Sequence, residues 1–168
     1  MLRSGRWLAA LVLVAIAVAL ALALRESASA PDRADAAPAA GVSAGRDLAA
    51  DEAAGGHTLA RHVGKDDAAL ARRLAREPNL AAASTFLDRA SAERAVGAAI
   101  ERERRRVNGW ARGRGAKTLV LRWRGDGEVV GRVLERGATS SAPAKGARVV
   151  LRRKGDAWFV LTAYPEVR

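Results

Sequence analysis

The segment ARVVLRRKGDAWFVLTAY, residues 147–164, decides the fold of the C-terminal half of this sequence. Two runs rich in β-branched and aromatic residues flank a turn at Gly155-Asp156, which is the pattern of a β-hairpin. Two earlier segments, KTLVLRWR at 117–124 and EVVGRVLE at 128–135, have the same character and are also separated by a glycine-containing turn. The sequence therefore predicts an antiparallel meander of at least four strands.

The preceding half has the spacing of helices instead. Helices are expected over 46–54, over 66–77 with a capping aspartate at its start, and over about 91–107. Residues 79–86 are expected to be a loop or a short extended segment. Helices followed by an antiparallel sheet is the order of the α+β class, which is the predicted fold class.

The N-terminus has the features of an export segment. Arg3 and Arg6 precede 18 unbroken apolar residues at 7–24, and Ala28-Ser29-Ala30 fits the small-residue pattern before a cleavage site. Residues 1–30 are predicted to be a signal peptide or an uncleaved signal anchor, because 18 apolar residues can just span a bilayer. The Ala/Pro/Gly-rich residues 31–45 are predicted to be a flexible linker, which leaves one domain at 46–168.

Composition restricts the chemistry. The chain has no cysteine, which excludes disulfides, zinc–thiolate sites and a cysteine nucleophile. Its net charge is +11, and residues 101–168 hold 17 basic and 7 acidic residues, whereas residues 31–100 hold 9 and 10. Such an excess favours a polyanion such as RNA, DNA or an anionic membrane, although an arginine-rich solubilising surface has the same composition.

Few residues remain for catalysis. His57 and His62, the two histidines, are five apart rather than the four that would place both on one helix face, so no metal site is predicted. No serine lies in a nucleophile elbow. Metal-free RNA cleavage needs a base of near-neutral pKa, a cation for the phosphorane and a hydroxyl donor. A histidine, an arginine and Thr162 with Tyr164, which share one face of the last strand, are the groups available.

The same residues also have simpler interpretations. Thr162 and Tyr164, beside Arg152 and Arg153 on the neighbouring strand, form either a phosphate platform or an ordinary exposed strand face. Each histidine alone is typical of a capping or structural residue, and an arginine pair on a helix is typical of a solvated surface. The residue pattern leaves these alternatives open.

Four stretches together resemble the bacterial RNase A-like toxin domain found at the C-terminus of contact-dependent growth inhibition proteins and related polymorphic toxins. They are DLAADEAAGGHTLARHVGKDDAALARRL at 47–74, EPNLAAASTFLDRASAERAV at 77–96, VGRVLERGATSSAPAKGARVVLRR at 130–153 and FVLTAYP at 159–165. The resemblance implies an α+β ribonuclease with the RNase A-like kidney shape but no disulfides. It also implies RNA cleavage without a metal or other cofactor, and a cognate immunity protein as partner.

The resemblance also implies a site. The family pattern has a histidine in the HVGK segment, an arginine eleven residues later and a threonine–tyrosine pair in the final strand. These positions are His62, Arg73, Thr162 and Tyr164 in this sequence. His62 is then the general base or acid, Arg73 and Thr162 bind the phosphorane, and Tyr164 donates a hydrogen bond or positions the substrate. His57 is an auxiliary candidate.

The expectation is therefore an exported toxin ribonuclease that is secreted or periplasmic, or held at the inner membrane by residues 1–30, and that acts in the cytosol of a target cell. Contact with the membrane is expected only through that N-terminal segment. Two alternatives stay open at this point. One is a membrane-anchored, non-catalytic module that binds a polyanion or a protein partner, and the other is a degenerate toxin without activity.

Overall fold

In the computed structural model, the chain is described over residues 45–167. The predicted signal segment at 1–30 and almost all of the predicted linker at 31–45 lie outside this range. Within it, no helix is long and apolar enough to cross a membrane.

Five helices lie in the described range: α1 (Leu48–Ala53), α2 (Thr58–His62), α3 (Asp67–Arg76), α4 (Arg89–Arg102) and α5 (Arg104–Arg112). The helix predicted over 91–107 is interrupted at Glu103, where φ is −104° and ψ is 19°. The break is followed by Val107 and Trp110, which pack on the main core. Three helices begin at an aspartate whose carboxylate accepts backbone N–H bonds, namely Asp47, Asp66 and Asp88.

Six strands form two antiparallel sheets. The first sheet contains β1 (Ala82–Phe86), β3 (Gly131–Glu135) and β4 (Ala142–Ala144), in the order β1-β3-β4. The second contains β2 (Thr118–Trp123), β5 (Gly146–Lys154) and β6 (Ala157–Glu166), in the order β2-β5-β6. The α+β class is confirmed.

The predicted single meander is wrong, and the reason is β1. Of the two alternatives for residues 79–86, a loop or a short extended segment, the structure has the second, because AASTF is a strand whose last four residues are buried. β1 takes β3 as its partner, and β2 consequently pairs with β5 across the intervening strands.

The main core lies between helices α4 and α5 and the two sheets, around Phe86, Leu121, Val149 and Val160. A smaller cluster joins α3 to the first sheet, where Leu70 and Leu74 pack on Ala83 and Leu134. The predicted apolar face of α3 is therefore buried, and each of its leucines contributes roughly 1.5–3 kcal/mol. This packing fixes the orientation of α3, which carries Arg73.

Gly131 allows β6 to meet the first sheet. A Cβ atom at this position would collide with the Thr85 carbonyl oxygen and with the ring of Pro165, which follows Tyr164. Because glycine has no side chain, the C-terminal end of β6 packs closely against β1 and β3. Tyr164 is thereby brought to the edge of β1, on which Ser84 lies.

Candidate active site

His62 is fixed by the elements on both sides of α2. It is the last residue of that helix and is 6 % exposed. The next residues join β1, where Gly64 N–H donates to the Phe86 carbonyl oxygen at 3.1 Å. At the start of α2, the Thr58 hydroxyl accepts a bond from the Ala163 N–H of β6 at 2.9 Å. The helix is therefore held between β1 and β6, and its final histidine lies between these strands.

The Nδ1 atom of His62 has two neighbours of opposite type. The Ser84 carbonyl oxygen lies 3.3 Å away and can only accept a hydrogen bond, whereas Arg73 Nη1 lies 3.4 Å away and can only donate one. A neutral imidazole can satisfy one of them at a time. When Nδ1–H donates to Ser84, the lone pair of Nε2 is free, which is the form that a general base requires.

Arg73 is held in place at its other end. Its Nε donates to Glu77 Oε1 at 3.2 Å, one helical turn later. α3 itself begins at Asp66, whose carboxylate accepts the Ala69 N–H. The predicted spacing of eleven residues between His62 and Arg73 thus spans a loop and two turns of helix, and it brings the two side chains into contact.

His62 is neutral at physiological pH. Burial lowers the pKa of His62 to about 4, and the positive charge of Arg73 acts in the same direction. The hydrogen bond to the Ser84 carbonyl opposes this shift. An imidazole that would otherwise be partly charged near pH 6.5 is therefore available as a proton acceptor.

The last strand supplies the other two predicted residues. The Tyr164 ring lies 5.5 Å from the His62 ring, measured between centroids, and is tilted by 34°. Thr162 lies two residues earlier, opposite Val150 of β5. Its hydroxyl is buried and has no hydrogen-bond partner within residues 45–167. Leaving a buried hydroxyl unpaired destabilises the fold by about 1–3 kcal/mol. Such hydroxyls are therefore rare except at sites where a ligand supplies the hydrogen-bond partner.

His62 is in contact with both Arg73 and Tyr164, so these three predicted residues are adjacent in the structure. Thr162 shares their strand, but no hydrogen bond joins it to His62 or Arg73 among the described residues. His57 precedes α2, and its backbone N–H donates to the Leu161 carbonyl oxygen at 3.0 Å. Burial and the charge of Arg61 lower the pKa of His57. Its ring makes no hydrogen bond to the other four predicted residues in the described range.

Arg148 is the site residue that the sequence did not reveal. The expectation that Arg152 and Arg153 flank the Thr162/Tyr164 pair is wrong, because these arginines face Phe159 and Trp158 at the far end of the hairpin. Arg148 instead lies opposite Tyr164, with its guanidinium carbon 5.9 Å from the ring centroid, and pairs with Glu166 at 2.6 Å.

A register shift explains why the sequence did not indicate Arg148, whereas Arg152 and Arg153 keep the partners that counting from the turn gives them. Counting outward from the Gly155-Asp156 turn places Tyr164 opposite Ala147, but the ladder slips by one residue between Val150 and Leu151. The slip moves Arg148 into register with Tyr164. A β-bulge of this kind is common next to functional sites and has no clear signature in the sequence of this hairpin.

Two cavities adjoin the His62–Arg73–Tyr164 group. One of about 440 Å³ is lined by Tyr164, Ser84, Arg148 and Arg122, together with two carboxylates and apolar side chains. The other, of about 350 Å³, is lined by Arg73 and by neighbouring residues of α2 and α3. Across residues 45–167, no three His, Asp or Glu side chains are grouped closely enough to hold a metal ion.

Comparison with known proteins identifies a family model and a similar solved structure. The family model described as the bacterial CdiA-CT RNase A domain matches residues 56–165, which include all five predicted site residues. The crystal structure of a CdiA-CT/CdiI complex from Y. kristensenii 33638 is similar, with a TM-score of 0.60 and 28% sequence identity. The similarity covers 66% of this chain and 99% of that chain. The curated proteins include no significant match.

Proposed function

Because the chain belongs to the bacterial CdiA-CT RNase A domain family, a family of toxin ribonucleases, we propose that it cleaves RNA phosphodiester bonds by metal-independent acid–base catalysis. The observation that carries this proposal is the meeting of His62, Arg73 and Tyr164. They come from α2, α3 and β6, and they offer the imidazole, guanidinium and hydroxyl groups that this chemistry requires.

His62 acts as the general base. Its Nε2 accepts the proton of the ribose 2′-hydroxyl while the 2′-oxygen attacks the adjacent phosphorus. The negative charge of the bound phosphate offsets the positive charge of Arg73. It thereby raises the pKa of His62 in the complex, so His62 is a stronger base when substrate is present.

Arg73 and Thr162 stabilise the phosphorane. The guanidinium stays charged and donates to phosphate oxygens, and the unpaired Thr162 hydroxyl gains a partner only when an anion is bound. Tyr164 donates its proton to the departing 5′-oxygen, which leaves as an alcohol. The products are a 2′,3′-cyclic phosphate and a free 5′-hydroxyl, and Tyr164 and His62 return to their starting forms by exchanging protons with water.

The proposed export rests on the sequence of residues 1–30, and the proposed partner rests on the similar solved structure. We propose that residues 1–30 direct the chain out of the producing cell and that the domain acts in the cytosol of a target cell. The similar CdiA-CT is complexed with CdiI, so a cognate immunity protein is the proposed partner of this chain as well. The site is open to solvent at both adjoining cavities, where such a protein can exclude RNA.

The test is RNA cleavage by the full-length chain in excess EDTA, with a nonionic detergent to keep the hydrophobic N-terminal segment in solution. The variant His62→Asn retains a donor for the Ser84 carbonyl but cannot act as a base, and its cleavage rate should fall by about 10²- to 10⁴-fold. Circular dichroism shows whether both proteins are folded.

Each outcome has a distinct meaning. Cleavage that requires a divalent ion would contradict the metal-independent mechanism. Full activity in His62→Asn would contradict the assignment of the base. Salt-dependent RNA binding without strand scission would support the non-catalytic binding module instead.

A further inference from the structure

The cavity shared by α2 and α3 is a strongly basic groove. Its charged lining residues are Arg61, Lys65, Arg72, Arg73, Arg76 and Glu77, which amount to five cations and one carboxylate. We propose that this groove binds a phosphate adjacent to the scissile one along an RNA strand. The inference rests on the proposed ribonuclease function and adds a second phosphate-binding site to it.

The helical period places these charges together. Within α3, residues 69, 72, 73 and 76 are three or four positions apart, except for the 72–73 pair, and therefore lie along one side of the helix; Ala69 is the uncharged member of this set. Lys65 lies in the loop before the Asp66 cap and lines the same cavity. Leu70 and Leu74 occupy the buried side of the same helix. The last turn of α3 favours cations because the helix dipole is negative there. The arginine cluster is thus compatible with a stable helix in the absence of a ligand.

Most of this positive charge is not neutralised by protein. Glu77 lies 3.2 Å from Arg73 and 3.7 Å from Arg61. Lys65, Arg72 and Arg76 have no carboxylate oxygen within 4.0 Å in the part of the chain that the structure describes. A concave surface with three uncompensated cations attracts an anion more strongly than a convex helix face does.

Arg73 connects the groove to the reaction centre. Its Nη1 contacts His62, while the same residue lines the groove. An RNA strand whose reacting phosphate lies at Arg73 therefore has a neighbouring phosphate beside Lys65, Arg72 or Arg76. The cavity of about 350 Å³ falls within the size range of small-ligand sites.

The test compares substrates of two lengths. A dinucleotide has one phosphodiester, which lies at Arg73, and has no second phosphate to place beside Arg72 or Arg76, whereas an oligonucleotide of ten nucleotides has one. The double variant Arg72→Gln/Arg76→Gln should leave kcat/KM for the dinucleotide within twofold of wild type. For the oligonucleotide it should lower kcat/KM roughly tenfold through KM. It should also reduce the log–log salt slope by about 0.7 for each phosphate that the groove no longer binds.

A matched control separates the groove from general charge. Arg102→Gln/Arg105→Gln removes the same charge from exposed positions of α4 and α5, where the nearby ion pairs involve Arg104 and Arg106 instead. This control should change neither substrate more than about twofold.

Equal losses in the two double variants, equal losses on the two substrates, or no loss at all would each overturn the proposed phosphate site. If the wild-type chain cleaves neither substrate, the proposed function fails. Binding of a 2′-deoxy oligonucleotide of the same length then tests the groove separately. A salt slope that falls in the groove variant but not in the control supports the site, and equal slopes overturn it.

Discussion

Acidification should destabilise the folded chain by about 3 kcal/mol through His62 alone. The pKa of this residue is lowered to about 4 in the folded state, mainly by burial and then by the charge of Arg73. In the unfolded chain, it returns to its ordinary value near 6.5. A difference of about 2.5 pH units corresponds to about 3 kcal/mol, at 1.36 kcal/mol per unit.

The sign follows from proton binding. Between pH 6.5 and pH 4, the unfolded chain binds a proton on His62 that the folded chain does not bind. The contribution of neutral His62 is therefore fully present above pH 6.5, and it is lost progressively as the pH falls to about 4. Below pH 4 both states are protonated, so no further loss comes from this residue.

The assay is urea unfolding of wild type and His62→Asn at half-unit intervals from pH 7.5 to pH 4. Carboxylates such as Asp67 and Asp88, whose pKa values are lowered by hydrogen bonds from Ser141 and Ser91, titrate alike in both proteins. Their effect cancels in the difference between the two free energies of unfolding. That difference should shift by about 3 kcal/mol against wild type across the pH range. A difference that stays constant would refute the view that His62 is buried as the neutral imidazole.

Three further results are expected. In the pH profile of cleavage, the acid limb of kcat/KM reports the free enzyme and should lie near pH 4. The acid limb of kcat should lie at higher pH, because bound phosphate offsets the positive charge of Arg73. Identical limbs near pH 6.5 would contradict this. Thr162→Val removes an unpaired buried hydroxyl, so the free energy of unfolding in urea should stay unchanged or rise by about 1 kcal/mol. The same variant should lower kcat, measured as a single-turnover rate, about 100-fold. Asp51→Asn should lower the free energy of unfolding, measured in urea, by about 2 kcal/mol. Asp51 is 2 % exposed, pairs with Arg46 at 2.7 Å and accepts the Val160 N–H. A change below about 0.5 kcal/mol would show that the ion pair contributes little.

The sequence predicted the elements better than their pairing. Caps, leucine spacing and turn residues are local signals, and they located α1, α3 and the β5–β6 hairpin to within a few residues. The partner of a strand is determined by packing over the whole chain. β1 pairs with β3, which lies far along the chain beyond two helices and β2, and nothing within the AASTF segment specifies that partner.

The site was predicted in the same uneven way. His62, Arg73 and Tyr164 were identified by family resemblance, and the structure brings them together. Arg148 was missed because a one-residue bulge changes its neighbour. Residue spacing along a strand assumes a regular pleat, so a single inserted residue is enough to hide the arginine that lies opposite Tyr164.

Net charge of a segment also failed to locate the basic surface nearest to the site. Residues 31–100 are almost neutral by composition, yet they contain the groove of α2 and α3. The aspartates among residues 45–100 are engaged in structural bonds and are absent from the lining of the groove. Helix caps and the buried pair with Arg46 account for Asp47, Asp66, Asp88 and Asp51, and Asp67 accepts bonds from Ser141.

The converse holds in the basic half of the chain. Arg136 donates to the carbonyl oxygens of Leu74, Glu77 and Leu80, and Arg153 donates to those of Gly113, Gly115 and Ala116. These guanidinium groups hold the backbone together and are poorly placed to bind a polyanion as well. The charge available to a bound anion therefore depends on which charged side chains lack a protein partner, and not only on the composition of a segment. Lys65, Arg72 and Arg76 differ from Arg136 and Arg153 in having no such partner among residues 45–167, and they line one cavity together with Arg73, which contacts His62.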